Sequence, residues 1–199
     1  YKELNLKTYD AADAAELGRD MKTQEQGLDV CELCGGEGRT IKIAIRRQLR
    51  TGKNFDLQTF VDLTEDRTQQ EVMKYIKDNQ VLVVVMSPNC RSMGPPSNLN
   101  RQINHDTWKR HFDEDKPHLQ FCCDVAEYQC RHGRYYLVEQ PFPTRLFSYF
   151  QWPLLARQGW VQQVVFDQCR VGLVDGQGTP VKKPTVMTSN SSEVLRPFT

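Results

Sequence analysis

The sequence lacks a long apolar run. Its longest uninterrupted apolar stretch, Val81 to Met86, is six residues long, whereas a helix that crosses a bilayer needs about 20 residues. The chain also lacks an excess of either charge, because 26 Lys and Arg stand against 25 Asp and Glu. We therefore expect no membrane span, and any contact with a nucleic acid has to come from a local basic patch.

Cysteine is neither dense nor even in number. The seven cysteines are scattered through 199 residues, which argues against a disulfide scaffold and favours a reducing intracellular location, nuclear or cytoplasmic. Cys31 and Cys34 have metal-like spacing, but they lie across a predicted strand whose alternation points them to opposite faces. We therefore expect no metal site.

Strands and helices alternate along the chain. Apolar stretches and turn residues predict five strands and a final hairpin or meander beyond Gly172. The predicted strands cover residues 28–33, 55–63, 81–86, 135–138 and 161–166. This alternation favours a three-layer α/β fold, a mostly parallel sheet with helices on both faces. Residues 91–104, rich in Ser, Pro, Gly and Asn, are predicted to form a long functional loop.

The domain organisation follows from the same patterns. Residues 1–27 lack a sustained apolar period and are predicted to be a flexible arm, whereas residues 28–199 form one domain. Because the chain starts at Tyr1, we expect it to be a piece of a longer polypeptide with flanking domains.

Chemically capable residues follow four of the predicted strands. In open α/β sheets, ligands bind outside the carboxyl ends of the strands. The four segments are Cys34–Gly38, Asp62, Ser87–Cys90 and Glu139–Pro141. A glycine turn lets a ligand approach the backbone at a helix N-terminus, although turn geometry alone also explains the glycines. No Lys-Ser or Lys-Thr pair follows, which excludes a nucleoside-triphosphate loop.

Taken in order, these segments resemble S-adenosylmethionine-dependent methyltransferases with a Rossmann-like sheet. The resemblance runs from about residue 28 to 172 and is closest to the DNA 5-methylcytosine branch. In that family a glycine turn holds the methionine part of the cofactor, and an Asp-Ile-Thr-like segment touches the adenine. A Pro-Pro-Cys segment supplies the nucleophile, a Glu-Asn-Val segment supplies an acid, and a Gln-x-Arg segment follows.

The resemblance implies roles for particular residues of this chain. It implies S-adenosylmethionine as cofactor, DNA as partner, and Cys90, Glu139 and Arg170 as catalytic residues. The implied cofactor contacts are Glu32, Cys34, Gly35, Gly36, Gly38, Asp62, Ser87 and Pro88. The implied nucleic-acid contacts are Arg91, Arg101, Lys109, Arg110 and Gln168.

The chain departs from the family pattern at two positions. Asn89 replaces the proline that adjoins the nucleophile, and Gln140 replaces the asparagine after the acid. Two alternatives to a cytosine enzyme therefore stay open: an inactive methyltransferase-fold module of a larger polyprotein, and a methyltransferase acting on adenine or another amine. Segments such as Asp167–Cys169 and Lys183–Thr185 also resemble methyltransferase-like parts of eukaryotic retroelement polyproteins.

Cytosine chemistry makes a specific demand on Cys90. Carbon 5 of the ring becomes nucleophilic only after a thiolate adds to carbon 6, so the thiol pKa has to be lowered by a helix terminus or a nearby cation. Arg91 is the adjacent cation. A partly buried Glu139 then offsets charge at the ring nitrogen. Cys90 as a packed core residue, Glu139 as a structural ion pair and Asp62 as a turn cap are the competing interpretations.

Overall fold

Short strands and amphipathic helices alternate through residues 27–199, the range that the computed structural model describes. The strands are β1 Val30–Leu33, β2 Thr51–Phe55, β3 Val83–Met86, β4 Tyr135–Pro141, β5 Gln162–Asp167 and β6 Pro184–Ser189. The helices are α1 Arg39–Arg46, α2 Asp66–Asp78, α3 Pro95–Ile103, α4 His105–Arg131, α5 Trp152–Ala156 and α6 Ser192–Leu195. The predicted flexible arm lies outside the described residues, apart from Gly27.

The six strands form one sheet in the order β2-β1-β3-β4-β6-β5. Strands β1 to β4 are mutually parallel, whereas β6 runs antiparallel to both of its neighbours, β4 and β5. The prediction of an α/β fold with a mostly parallel sheet is therefore confirmed. Because these four strands are parallel, the carboxyl ends of β1, β2, β3 and β4 meet at one edge of the sheet.

Helices pack on both faces of this sheet. Leu33, Met86 and Val138 are paired across β1, β3 and β4 and face the main core, which α2 and α4 complete with residues such as Ile76 and Leu119. On the opposite face, helix α1 covers β1 and β2. No helix among residues 27–199 is long and apolar enough to cross a membrane.

Two sequence predictions about local structure are wrong. The second strand is Thr51–Phe55 rather than 55–63, because Asp56 and Thr59 form a reciprocal cap that ends the strand and starts a 3-10 turn. The predicted loop 91–104 contains helix α3. Its first residues, Pro95 and Pro96, suit a helix start, because the first turn has no use for their missing N–H groups.

Helix α4 is the longest element and fixes the sheet. It starts where the Asn104 side chain accepts a hydrogen bond from the Thr107 N–H, and it continues through Pro117. Near its end, the fully buried Gln129 amide donates to the carbonyls of Val81, Leu82 and Tyr135 at 3.0, 3.2 and 2.8 Å. These bonds join the end of α4 to the starts of β3 and β4.

Candidate active site

A cavity of about 620 Å³ opens at the carboxyl ends of β1, β2 and β3. Its wall is formed by the ends of these strands, by the segment that follows β2 and by one turn of α4. The lining residues are Cys34, Asp56, Leu57, Val61, Asp62, Leu63, Thr64, Ser87, Asn89, Arg91, Glu114, Asp115 and His118. Cys34, Asp62 and Ser87, three of the residues that the sequence suggested for cofactor binding, thus lie around one cavity.

Hydrogen bonds join the end of β1 to the start of α1 across the glycine turn. Gly38, at φ +65°, starts helix α1 in the left-handed region that glycine adopts without strain. The buried Glu32 carboxylate accepts from the N–H groups of Thr40 and Ile41 at 3.3 and 2.9 Å. Glu32 therefore stabilises the first turn of α1, and Gly35 and Gly36 lie half-buried in the turn that follows Cys34.

Two carboxylates follow β2, and the sequence identified only the second. Asp56 is the residue directly after the strand, and Asp62 lies farther along, where its Oδ1 accepts from both the N–H and the hydroxyl of Thr64. These two bonds, the hydroxyl first, lower the pKa of Asp62. The expectation that Asp62 ends the second strand is thus wrong, although it does line the cavity.

The far wall of the cavity is a charged network between α4 and the loop after β3. Arg91 pairs with the buried Asp115 at 2.7 Å and with Glu114 at 2.9 Å. His118 is also buried. Its burial first, and then the charges of Asp115, Arg91 and Asp62, act on its pKa, and the net effect lowers it. His118 is therefore neutral near pH 7, and the wall carries net negative charge.

Cys90 and Glu139 come together beside this cavity. Cys90 is exposed on the loop after β3, and Glu139 lies near the end of β4 with its side chain 20% exposed. Oε1 of Glu139 accepts from the Gln168 amide at 3.2 Å and from the Lys183 ammonium at 3.4 Å. The carboxylate, the amide and the ammonium thus form one hydrogen-bonded group whose charges act on the Cys90 thiol. We call these four residues the Cys90 cluster.

The charge environment of Cys90 differs from the expectation. Partial burial first, and then the Glu139 carboxylate, raise the pKa of the Cys90 thiol, while Lys183 acts to lower it. Arg91 was expected to activate the thiol, but its guanidinium is engaged by Asp115 and Glu114. Lys183 is therefore the cation that favours the thiolate, and the resting thiol is protonated at neutral pH.

The loop that carries Cys90 is fastened to β4 by Gln140. The Gln140 amide, which is fully buried, donates to the Pro88 carbonyl at 2.6 Å. Its Oε1 accepts from the Thr144 hydroxyl at 3.4 Å. Although this glutamine departs from the family pattern, it holds the loop after β3 beside Glu139.

The remaining predicted site residues lie elsewhere. Arg101 lies over the Trp108 ring at 5.2 Å, Lys109 pairs with Asp113 at 2.7 Å, and Arg110 is 4.0 Å from Glu114. All three basic side chains are on α3 and α4. Arg170 is exposed and forms no ion pair with the residues from 27 onward. DNA contact by these residues stays a prediction.

Asp56, His118 and Lys183 were missed by sequence reasoning. Asp56 carries a local signal, because Asp followed by Thr three residues later is a helix-cap pattern. Lys183 carries none, since it is 44 residues from Glu139 and reaches it only through the antiparallel pairing of β4 and β6. Among the described residues, no group of three or more His, Cys, Asp or Glu could hold a metal ion.

Comparison with known proteins gives similar solved structures. A crystal structure of the Dnmt2 methyltransferase of S. pombe aligns with a TM-score of 0.47 and 9% identity, over 83% of this chain and 50% of that one. A SAM-dependent methyltransferase from Archaeoglobus fulgidus aligns with a TM-score of 0.37 and 12% identity, over 88% and 91%. This chain thus spans about half the length of the first.

No family model and no curated protein sequence matches this chain. Since both TM-scores lie below 0.5, neither likeness assigns an activity.

Proposed function

We propose that the chain binds S-adenosylmethionine in the cavity and methylates carbon 5 of cytosine in DNA through Cys90. The observation that carries the proposal is the placement of an exposed thiol beside a carboxylate, at the sheet edge where the glycine turn also lies. Three segments that are far apart in the chain thus meet at one edge. We also propose that the chain is related to S-adenosylmethionine-dependent enzymes and that its sheet is of the Rossmann-like class.

The cavity fits this cofactor in size and charge. Its volume of about 620 Å³ lies within the range of small-molecule sites. Asp56, Asp62, Glu114 and Asp115 line it, and the cofactor carries a sulfonium and an ammonium group that carboxylates stabilise. Oδ2 of Asp62 makes no hydrogen bond with the residues that the structure describes, so it is free to accept one from an adenine amine. When bound, S-adenosylmethionine supplies an electrophilic methyl group.

Cys90 and Glu139 supply the activation of the base. The Cys90 thiol releases its proton to solvent, and the thiolate forms a bond to carbon 6 of the ring. The electron pair of the carbon 5–carbon 6 double bond moves onto carbon 5, and the Glu139 carboxylate takes up a proton from solvent and passes it to N3, where negative charge develops. After methylation, carbon 5 loses its proton to water, N3 returns its proton to Glu139, and the sulfur–carbon bond breaks to release Cys90.

A cytosine in duplex DNA has to leave its stack to reach the Cys90 cluster, which costs a few kcal/mol. The basic side chains of α3 and α4 are the proposed phosphate contacts. The Trp108 ring packs against one of them, Arg101. Neutral substitution of Lys109 and Arg110 together is expected to weaken binding to single-stranded DNA and to reduce its salt dependence. Unchanged affinity and salt dependence would exclude this surface.

Trapping with 5-fluorocytosine tests the enzyme directly. Fluorine at carbon 5 cannot leave as a proton does, so a thiolate adduct that has been methylated persists and is visible by mass spectrometry. The wild-type chain with S-adenosylmethionine is expected to form this adduct, and Cys90→Ser is expected to form none. Cys130→Ser is the matched control, because Cys130 lies on α4, outside the Cys90 cluster. An adduct in Cys90→Ser would refute the assigned nucleophile.

The two alternatives give different results. The amine methyltransferase needs Asn89 to align a target nitrogen, but the Asn89 side chain already accepts from the Arg91 N–H at 2.8 Å and donates to Asp115 at 3.3 Å. Methylation of adenine that survives Cys90→Ser would support this alternative. The other alternative is an inactive module of a longer, retroelement-like polyprotein. Calorimetry with S-adenosylhomocysteine distinguishes it from an enzyme, because the absence of binding heat at millimolar ligand would support the inactive module.

A further inference from the structure

Two donors hold the same oxygen atom of Glu139. The Gln168 amide and the Lys183 ammonium both donate to Oε1, at 3.2 and 3.4 Å. Oε2 forms no hydrogen bond with any residue in the described range 27–199. The carboxylate is therefore anchored through one oxygen, and its other oxygen is available to a substrate.

The two donors are themselves fixed by the backbone. The Gln168 N–H donates to the Lys183 carbonyl at 3.0 Å, and the hydroxyl of the buried Thr185 donates to the same carbonyl at 3.2 Å. Thr185 is paired with Pro141 of β4, two residues after Glu139. The position of Lys183 relative to Glu139 is thus set by the sheet, although its side chain is 48% exposed.

We infer that Lys183 is a positioning residue of the Cys90 cluster: it orients the Glu139 carboxylate with Gln168 and offsets the negative charge that Glu139 places next to Cys90. The inference rests on the proposed function and adds to it a residue that the motif resemblance gave no role. An ammonium beside a carboxylate–thiol pair weakens the repulsion that opposes thiolate formation.

Three charged groups act on the Cys90 thiol from three elements. Glu139 on β4 and Asp115 on α4 disfavour the thiolate, whereas Lys183, just before β6, favours it. Removing the ammonium leaves only the two carboxylates. The thiol of a Lys183→Met chain therefore ionises at higher pH than that of the wild type.

The rate of Cys90 alkylation by iodoacetamide, measured between pH 6 and 10.5, tests the inference without requiring methyl transfer. Trypsin releases residues 78–91, a peptide that contains no other cysteine, so mass spectrometry follows Cys90 alone. Lys183→Met is expected to raise the pH of half-maximal rate by about half a pH unit or more. Lys183→Arg, which keeps the charge, is expected to restore the wild-type value, and Glu139→Gln to lower it.

Lys182→Met is the matched control. It removes the same charge one residue away, from a side chain 76% exposed that lies 3.9 Å from Asp167 and outside the Cys90 cluster. Equal midpoints in wild type and Lys183→Met would overturn the inference, as would an equal shift in Lys182→Met.

If the Lys183→Met shift is found but the 5-fluorocytosine adduct is not, the proposed function fails while the electrostatic effect of Lys183 stands. If the adduct forms but the shift is absent, the proposed function stands and the role of Lys183 is refuted.

Discussion

The Gly36 N–H donates a hydrogen bond of 2.9 Å to Oδ2 of Asp56, which joins the turn after β1 to the end of β2. Oδ1 of the same carboxylate accepts from the Gln58 N–H at 2.8 Å. One side chain thus closes the glycine turn and starts the segment that forms the opposite wall of the cavity. Asp56, which itself lines the cavity, thus links these two segments.

Asp56→Ala is expected to reduce both stability and cofactor affinity. The change removes a hydrogen bond to a charged acceptor and a cap, and each such interaction contributes about 1 to 2 kcal/mol. Urea denaturation measures the free energy of unfolding, and calorimetry with S-adenosylhomocysteine measures affinity. Asp56→Asn keeps an acceptor for one N–H and is expected to lose less. If Asp56→Ala binds the ligand as tightly as wild type, the turn does not shape the site.

Arg91→Ala is expected to destabilise the chain much more than Arg110→Ala. Arg91 pairs with Asp115, whose side chain is only 3% exposed, so truncation leaves a buried carboxylate without its cation. Such a loss costs about 3 kcal/mol. The pair of Arg110 with Glu114 is exposed and 4.0 Å long, and it contributes about 0.5 kcal/mol at most. Equal losses in urea denaturation would show that Asp115 is stabilised by other groups.

Gly35→Ala tests the close packing of the turn. A Cβ atom at this position would lie 2.8 Å from Oδ1 of Asn54 and 2.9 Å from the Glu32 carboxylate. Displacing Glu32 weakens its bonds to the start of α1, so we expect a loss of about 1 to 3 kcal/mol and weaker cofactor binding. Gly176→Ala, where a Cβ meets open space, is the control and is expected to be neutral. Unchanged stability of Gly35→Ala would mean that the turn relaxes freely.

Local patterns predicted the parts of the fold that depend on nearby residues. The alternation of apolar and turn residues was enough to predict β1, β3, β4 and β5, because each of these strands is defined by its own apolar stretch. The boundary of β2 was missed because Leu57, Phe60 and Val61 look like strand residues, although Leu57 and Phe60 are exposed. The apolar character of a segment alone does not distinguish a buried strand from an exposed turn that carries apolar residues.

The site was predictable only where a motif is contiguous. Cys34–Gly38 and Ser87–Cys90 are continuous segments at strand ends, and both were recognised from the sequence. Lys183 and Asp115 act through pairings across the sheet and along a 27-residue helix. Neither pairing can be inferred from the spacing of residues that are close in the sequence. The electrostatic state of Cys90, which these residues control, was accordingly predicted with the wrong cation.

Alkaline pH is expected to weaken the fold through its buried thiols. Burial raises the pKa of Cys31 to about 12, whereas a thiol in an unfolded chain has a pKa of about 8.5. The folded thiol keeps its proton where the unfolded one loses it, so the associated stability is complete below about pH 8.5 and is lost as the pH rises toward 12. The loss for one such thiol is about 1.4 kcal/mol per pH unit in this window.

Urea denaturation of wild type and Cys31→Ala at pH 7.5, 9 and 10 measures this contribution. The variant is less stable at pH 7.5, because it loses a buried side chain, but its stability falls less steeply with pH. The expected difference between the two chains narrows by about 2 kcal/mol from pH 7.5 to 10. Val84→Ala, a truncation in the same core without a titrating group, is the control and should run parallel to wild type. Parallel curves for Cys31→Ala as well would mean that the Cys31 thiol ionises as readily in the folded chain as in the unfolded one.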